Sequence, residues 1–397
     1  MKKDIINLYV EKYVEGTLLL DFITEKDFLY FKYRGEEIES ITVDSYTPSM
    51  LLFHNVNIKE IHEGDIIAIP KCFLMEIGYM ERQSKNEKIG VAIEFDSGNL
   101  FERWFNEGVI FKNNKYRKYA IQKLDSNWNV NAPCSLECLS NNFEIRVLDV
   151  GQGSANFIID KDSLTIFDFG TSIYSNKKTR LDIVKRQENI SQQRRISLII
   201  SHWDIDHYNL LTIVDDTFFR NLCCSFIPNE VITLTAKQVA KRIFKNCSYV
   251  CAVSSAIRGK HTIGIHKINS TKKYDLYIGE KSSDKNKSGL ALVVYSKNDA
   301  TILAADHSNH QVWNCIYSDM SSRDISGVLN IVVPHHGGLC GKISLKAISE
   351  IPGIAAISVG KNNYKHPNQH TIDIYKKLGF KVKRTDWERK DICIKMN

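Results

Sequence analysis

The sequence predicts a layered α/β domain over residues 141–397, preceded by a smaller, β-rich α+β domain over residues 1–140. Three observations carry this. Short apolar runs rich in β-branched residues recur through the second part with polar punctuation between them, which is the pattern of buried strands. Between Leu124 and Asn142 the composition turns to Asp, Ser, Asn and Pro (DSNWNVNAPCSLECLSNN), residues that favour turns over ladders and so mark a linker. Charge and histidine are also segregated. Residues 1–140 carry 17 basic and 22 acidic side chains against 36 and 24 for residues 141–397, and only His54 and His62 of the twelve histidines precede residue 200.

The first part holds β-rich runs such as Ile41-Thr42-Val43 and Asp65-Ile66-Ile67-Ala68-Ile69-Pro70, with shorter helical patterns and no motif that carries a mechanism. In the second part strands are expected at Glu144–Val150, Asn156–Ile159, Ser163–Phe167, Ile196–Ile200, Gly289–Tyr295, Thr301–Ala304, Val328–Val333 and Ile354–Val359. Helices are expected at Ala236–Phe244 and Thr371–Lys377, the latter stopped at Leu378-Gly379, where glycine supplies the left-handed cap.

The chain has 397 residues, 25% charged and 43% hydrophobic, with net charge +7. That balance excludes disulfide scaffolds and disordered chains. No apolar stretch approaches the length of a membrane-spanning helix. The opening MKKDIINLYVEKYV has no uninterrupted apolar core and no small-residue cleavage site, so a cytoplasmic location and no membrane partner are expected. The ten cysteines are accordingly read as free thiols. Cys134 with Cys138 and Cys247 with Cys251 have a spacing that zinc sites use, but neither has a second pair nearby, and buried structural thiols are the better reading.

The sharpest signal is Ser201-His202-Trp203-Asp204-Ile205-Asp206-His207, directly after the apolar run Ile196–Ile200. A strand delivers the chain, and in an extended backbone His202, Asp204 and Asp206 project to one side. Asp206 is a good helix N-cap, and a turn starting there brings His207 to the same centre. Four imidazole and carboxylate ligands within six residues suit one or two divalent cations. A solvated acidic loop with incidental histidines is the bland alternative, and it leaves that much carboxylate on one edge uncompensated.

These residues resemble the H-x-[HD]-x-D-H signature of the metallo-β-lactamase fold. The stretch from about residue 145 onward resembles the metallo-hydrolase (nuclease) domain of ComEC-type competence proteins. The family's D-V-G-Q-G-D-S is matched by Asp149-Val150-Gly151-Gln152-Gly153-Ser154-Ala155, and its D-x-G by Asp168-Phe169-Gly170. Its G-D appears as Ala305-Asp306, its V-P-H-H-G-S as Val333-Pro334-His335-His336-Gly337-Gly338, and its S-V-G-x-N-x-Y-x-H-P as Ser358 to Pro367. The resemblance implies a four-layered αββα fold and two divalent ions, Zn or Mn. It places His202 and Asp204 on one ion, Asp206, His207 and a histidine of the His335-His336 pair on the other, and Asp306 as the bridge. Asp168 is expected to orient ligands. The more familiar signature has a second histidine where this chain has Asp204, and the third histidine of the first position has no clear counterpart.

Beside these, His366 is a candidate for substrate contact or general-acid chemistry. His307 and His310 read best as surface histidines at the start of a helix, and Trp203 as a core aromatic that could instead stack on a base. Basic clusters at Lys177-Lys178-Thr179-Arg180, Lys185-Arg186, Arg194-Arg195, Lys241-Arg242, Lys272–Lys287 and Lys381–Arg384 would spread positive charge over several loops suited to phosphate backbones. The expected function is therefore a metal-dependent phosphodiesterase, foremost a DNA nuclease that uses a dinuclear metal-activated hydroxide. Asp206, Asp168 and His366 stand closest to the chemistry, and the acidic first domain, unsuited to the same polyanion, is left to guard, recruit or regulate, a protein partner being one option. Hydrolysis of a small phosphodiester, such as a cyclic nucleotide or phosphocholine ester, and a regulatory protein with a structural metal site are the other readings.

Overall fold

The computed structural model describes residues 5–14, 16–33, 49–80, 92–95, 98–116, 120–124, 139–257, 263–282, 284–323, 325–343, 348, 350–362 and 364–397. The expected Ile41–Val43 strand, most of the linker, and Cys134 and Cys138 lie outside them. The chain folds as two compact units: Met1–Leu124 with Glu230–Arg242, and Asp125–Asn229 with Ile243–Asn397. Residues 230–242 thus belong to the first unit although they are flanked by the second. Their inclusion changes the charge argument. The 17 basic and 20 acidic residues of 1–124 are joined by three and one from 230–242, which leaves the first unit near neutral and the second with 33 basic and 25 acidic.

The first unit contains strands β1 (Ile5–Val14), β2 (Thr17–Phe22), β3 (Met50–Phe53), β4 (Ile66–Pro70), β5 (Ala92–Phe95) and β6 (Phe111–Lys112) in a sheet of order β5-β3-β2-β1-β4-β6, with a small pair β7 (Gln122–Lys123) and β13 (Glu230–Val231) beside it. Helices Glu25–Lys32, Lys71–Met80 and Gly98–Asn106 accompany this sheet. Leu8, Leu20, Phe53, Ile67, Phe28, Phe73 and Phe101 form its core, to which Leu234 contributes.

The second unit holds two seven-stranded mixed sheets. One contains β8 (Phe143–Val147), β9 (Ala155–Ile159), β10 (Ser163–Phe169), β11 (Arg195–Ile199), β12 (Leu222–Pro228), β14 (Val250–Val253) and β22 (Ile392–Met396), in the order β14-β12-β11-β10-β9-β8-β22. The other runs in chain order from β15 (Ile265–Ser270) through β16 (Tyr274–Gly279), β17 (Leu290–Tyr295), β18 (Ala300–Leu303), β19 (Val328–Val332) and β20 (Ile351–Ile357) to β21 (Lys381–Arg384). Both sheets are half antiparallel and half parallel: β10, β11, β12 and β14 run parallel, as do β18, β19, β20 and β21.

Phe143, Ile145, Phe167 and Ile199 of the first sheet pack with Leu276, Leu292, Leu303 and Val332 of the second, so the sheets face each other across one core. The alternation of β8, with Phe143, Ile145 and Val147 buried and Glu144 and Arg146 less so, directs its apolar side into that core. On the far side of the second sheet, Ile302, Ile331 and Ile357 meet Val312, Trp313 and Ile316 of the helical segment His310–Tyr317, and Ile372 and Tyr375 of the helix Gln369–Lys377. Helix Lys177–Ser191 lies against β10 with Ile183 and Val184 buried. The result is the four-layered αββα arrangement.

All eight strands expected in this region form, with ends shifted by up to three residues. Strands such as β12 (LCCSFIP) and the helix Lys177–Ser191 were not anticipated; cysteine, serine and a run of charges obscure their periodicity. That helix also corrects the picture of basic loops: Arg180 is buried, and its guanidinium donates to the carbonyls of Ser172, Ile173 and Ser175. It is a structural group and does not face phosphate. The free-thiol expectation holds for Cys72, Cys223, Cys247, Cys251, Cys315, Cys340 and Cys393, whereas Cys224 is disulfide-bonded, because pairing follows proximity in the fold and not spacing in the chain. Burial pushes the Cys247 thiol up to about 11, which keeps it protonated. No helix among the described residues is long and apolar enough to cross a membrane.

Candidate metal centre

The predicted site residues arrive from the carboxyl ends of parallel strands in both sheets. Asp168 closes β10, the 202–207 run follows β11, Asp306 follows β18, the His335-His336 pair follows β19 and Ser358 follows β20. At this end of a parallel ladder the chain must leave the sheet, so polar side chains gather where the apolar runs stop. Several of these exits are backbone-constrained: Asp168, Ala305, His335 and His336 all have positive φ (62°, 46°, 52° and 52°). Such conformations persist where the surroundings over-determine them.

After β11 the chain runs extended through Asp204, which is the N-cap of the short helix Ile205–Tyr208. This corrects the expectation of Asp206 as cap. Starting the helix at Asp204 places Asp206 and His207 in its first turn, both buried. Gly170 makes that turn possible: a Cβ there would stand 2.0 Å from the carbonyl oxygen of Asp206, so the backbone after β10 passes directly beneath the ligand run.

Two groups of ligand atoms converge. Those of His202, His207 and Asp306 lie within 4.8 Å of one another, as do those of Asp206, His207 and His336. The Nε2 atoms of His202, His207 and His336 are buried and make no hydrogen bond, although a buried polar atom ordinarily has a partner. Their opposite ring nitrogens explain their direction. His207 Nδ1 donates to Asp168 Oδ2 at 2.8 Å, and His336 Nδ1 donates to the carbonyl of Ser358 at 2.9 Å. Ser201 Oγ donates to Asp168 Oδ2 at 2.8 Å and lies 2.9 Å from His202 Nδ1. With its own proton committed to the carboxylate, the hydroxyl accepts from His202. In its neutral form each of the three imidazoles therefore presents its lone pair at Nε2, the form a cation requires.

Asp168 is wholly buried and accepts from His207, Ser201 N–H, Ser201 Oγ and Ser154 Oγ, so it stands behind the ligands and does not join them. Of the histidine pair, His336 faces Asp206, with 3.8 Å between Nε2 and Oδ2, while His335 Nδ1 donates to Asp306 Oδ2 at 2.9 Å. Asp306 Oδ1 lies 3.5 Å from His207 Nε2. Asp204 comes within 3.4 Å of His202 Nε2 but falls outside both converging groups. Its other oxygen forms an ion pair with Lys285. His366, preceding a cis proline, has its ring 5.0 Å from that of His335.

Charge explains why this cluster wants a cation. Burial disfavours the imidazolium of His207, but the carboxylates of Asp306 and Asp168 outweigh it and hold its pKa well above the ordinary value. Burial likewise works against ionised Asp306, and His207 and His335 reverse it, leaving this carboxyl well below its usual range. Burial lowers the pKa of His336. The buried carboxylates of Asp206 and Asp306, with the converging, correctly oriented imidazoles of His202, His207 and His336, form a donor set of the N/O type that suits a divalent cation.

Of three neighbours, His307 differs from expectation, Trp203 matches it, and Lys285 has no individual signal in the sequence. His307 is fully buried, with its pKa pushed down to about 4 by that burial, which corrects its reading as a surface residue; it follows Asp306 into the core. Trp203 is buried, donates Nε1–H to Pro228 O at 3.0 Å and packs edge-on to Tyr208, so it is a core aromatic. Lys285 carried no individual signal; it stood inside a basic stretch 81 residues beyond Asp204.

Solved structures that resemble this chain include a metal-dependent hydrolase of the β-lactamase superfamily, at 12% identity over 64% of this chain and 98% of its own, with a TM-score of 0.35. Another is the metallo-β-lactamase fold protein YhfI from Bacillus subtilis, at 9% identity over 64% and 99%, with a TM-score of 0.35. A variant of the CmlA β-hydroxylase is similar at 10% identity over 95% of this chain and 69% of its own, also at 0.35. No protein-family model matches the chain. No curated protein matches it either.

Proposed function

We propose that this protein is a metal-dependent hydrolase that cleaves phosphodiester bonds, with DNA as the foremost substrate. The observation that carries the reading is the convergence of His202, Asp206, His207, Asp306 and His336, with three inward Nε2 lone pairs. This centre borders a cavity of about 450 Å³ lined by Asp306, His335, His310, Ser308, Lys287 and Lys342. Of the converging ligands Asp306 reaches its lining, with His335 beside it, and the Lys287–Asp284 ion pair, Lys342, Ser308 and His310 line the rest.

A divalent ion held by the converging ligands would supply Lewis acidity to the scissile phosphoryl group and acidify the attacking water. The chain's own residues prepare the rest. Asp168, Ser201 and Ser358 fix the imidazole tautomers, so no reorientation is needed when the substrate arrives. Lys287 and Lys342 are placed to neutralise phosphate oxygens along the cavity. His335, one-third exposed and hydrogen-bonded to Asp306, stands where a proton can pass to a departing alkoxide, and His366 abuts it.

Purified protein with Mn2+ or Zn2+ should cleave single- or double-stranded DNA, and the Asp206→Ala/His207→Ala double variant should not. No cleavage across a range of metals and polymers would sink the reading. The cavity volume itself favours a second reading, hydrolysis of a small phosphodiester, since pockets of this size enclose small ligands. Steep salt dependence of polymer binding separates the two, because counterion release requires many phosphate contacts.

A further inference from the structure

His207 belongs to both converging groups, yet its Nδ1 is engaged by Asp168. One Nε2 lone pair can serve one ion. If His207 joins Asp206 and His336, a second ion would have to be held by His202, Asp306 and a third ligand. Asp204 is the residue that the signature offers for that place. It is pulled elsewhere: its carboxylate forms an ion pair with Lys285, whose ammonium also donates to Trp203 O at 3.0 Å. Both partners are shielded, with side-chain exposures of 24% for Lys285 and 7% for Asp204.

The pairing is built into the fold. Lys285 opens a single 3-10 turn, Lys285–Lys287, capped by Asp284, which accepts from Asn286 N–H. The chain after it is tied to the ligand loop where Leu290 N–H donates to Ser201 O at 2.7 Å. Gly289 permits that approach, since a Cβ there would lie 2.5 Å from Ser201 O. Where the more familiar signature has a neutral imidazole, Asp204 adds a negative charge and Lys285 adds the compensating positive one. A buried carboxylate with a lysine in place has no net charge left to attract a dication, and removing the lysine would leave that carboxylate uncompensated.

We infer that the centre holds one divalent ion, between Asp206, His207 and His336, and that the Lys285 ammonium takes the place of a second ion beside Asp204. The inference rests on the metal-centre part of the proposed function but not on the substrate. Metal content can be measured after loading the full chain with Mn2+ and desalting, with Mn2+ paramagnetic resonance as a second readout. The wild type should retain one equivalent with the spectrum of an isolated ion. His336→Ala should retain none, and His202→Ala should retain one. Lys285→Met keeps the aliphatic stem and removes the charge; it should take up a second equivalent and show an exchange-coupled spectrum.

Two equivalents in the wild type overturn the inference while leaving the metal-centre reading intact, and no equivalents overturn both. One equivalent in both the wild type and Lys285→Met removes Lys285 from the role. Should Lys285→Met fail to fold, judged by circular dichroism, Lys285→Gln carries the same test.

Discussion

Asp168 Oδ2 lies 2.8 Å from His207 Nδ1 although the two residues are 39 positions apart, and Asp168 reaches it from a left-handed backbone with φ 62°. The carboxylate fixes which nitrogen of His207 carries the proton and so which one faces the centre. Asp168→Asn would keep the shape, lose the charge and weaken that preference. Metal affinity should fall roughly 10–100-fold, as read by competition with a chromogenic chelator; unchanged affinity would remove Asp168 from this role.

Gly170→Ala tests the packing that brings the two loops together. The added methyl meets the Asp206 carbonyl at 2.0 Å, and neither backbone can withdraw without moving His207. Overpacking of this kind destabilises by about 1–3 kcal/mol. A lowered thermal midpoint with reduced metal retention is expected, and a wild-type midpoint would show that the loops are more compliant than the structure implies.

Arg180 is buried among carbonyls with no carboxylate paired to it among the described residues, and burial lowers its pKa to about 10. Arg180→Met would strand the carbonyls of Ser172, Ile173 and Ser175, with a penalty of about 1–3 kcal/mol for each group left unsatisfied. Chemical denaturation should show the loss. Binding to DNA by the folded fraction should keep its salt slope, which distinguishes a structural arginine from a phosphate contact.

Lys287 and Lys342 line the cavity beside Asp306, and each is expected to touch a phosphate. Replacing either with alanine should reduce the slope of log affinity against log salt by about one, measured with a fluorescent oligonucleotide. Equal slopes for the variants and the wild type would place the polymer elsewhere.

Asp21 gives the first unit a pH dependence of its own. It is fully buried, accepts from Ser49 Oγ and Thr235 N–H, and burial, assisted by Glu11, raises its pKa from 3.8 to about 7. The folded state therefore binds this proton more tightly than the unfolded chain does. Stability is favoured at low pH, falls as pH rises from about 4 to about 7, and levels off above, with a slope approaching ~1.4 kcal/mol per pH unit within that window. Hydrogen exchange of β2 amides across this range should follow the trend, and Asp21→Asn should flatten it. A slope that persists in the variant would assign the effect to another group.

Much of this was legible in the residues themselves. The β-branched runs of the second part announced their strands, because strand propensity and burial act over five to seven adjacent positions. The 202–207 run marks a cluster of candidate metal ligands, because these residues are neighbours in the chain and follow an apolar strand. What escaped was non-local. In the sequence Lys177–Ser191 looks like basic loop, because the buried face of this helix is sparse and one of its buried residues is an arginine. Residues 230–242 lie within the second domain that the sequence predicts, yet Ser49 and Asp21 hold Thr235 in the first unit, an attachment that spans about half the chain.

The sequence by itself determined the ligand chemistry, the strands that carry it and the small residues at the exits. It did so because each depends on side-chain type and short-range periodicity. Only the tertiary structure decided that His336 and not His335 turns to Asp206, that Asp168 stands behind His207, and that Lys285 closes on Asp204. These choices are made by hydrogen bonds and ion pairs between segments far apart in the chain, and they exist only once the two sheets have brought their strand ends to one edge.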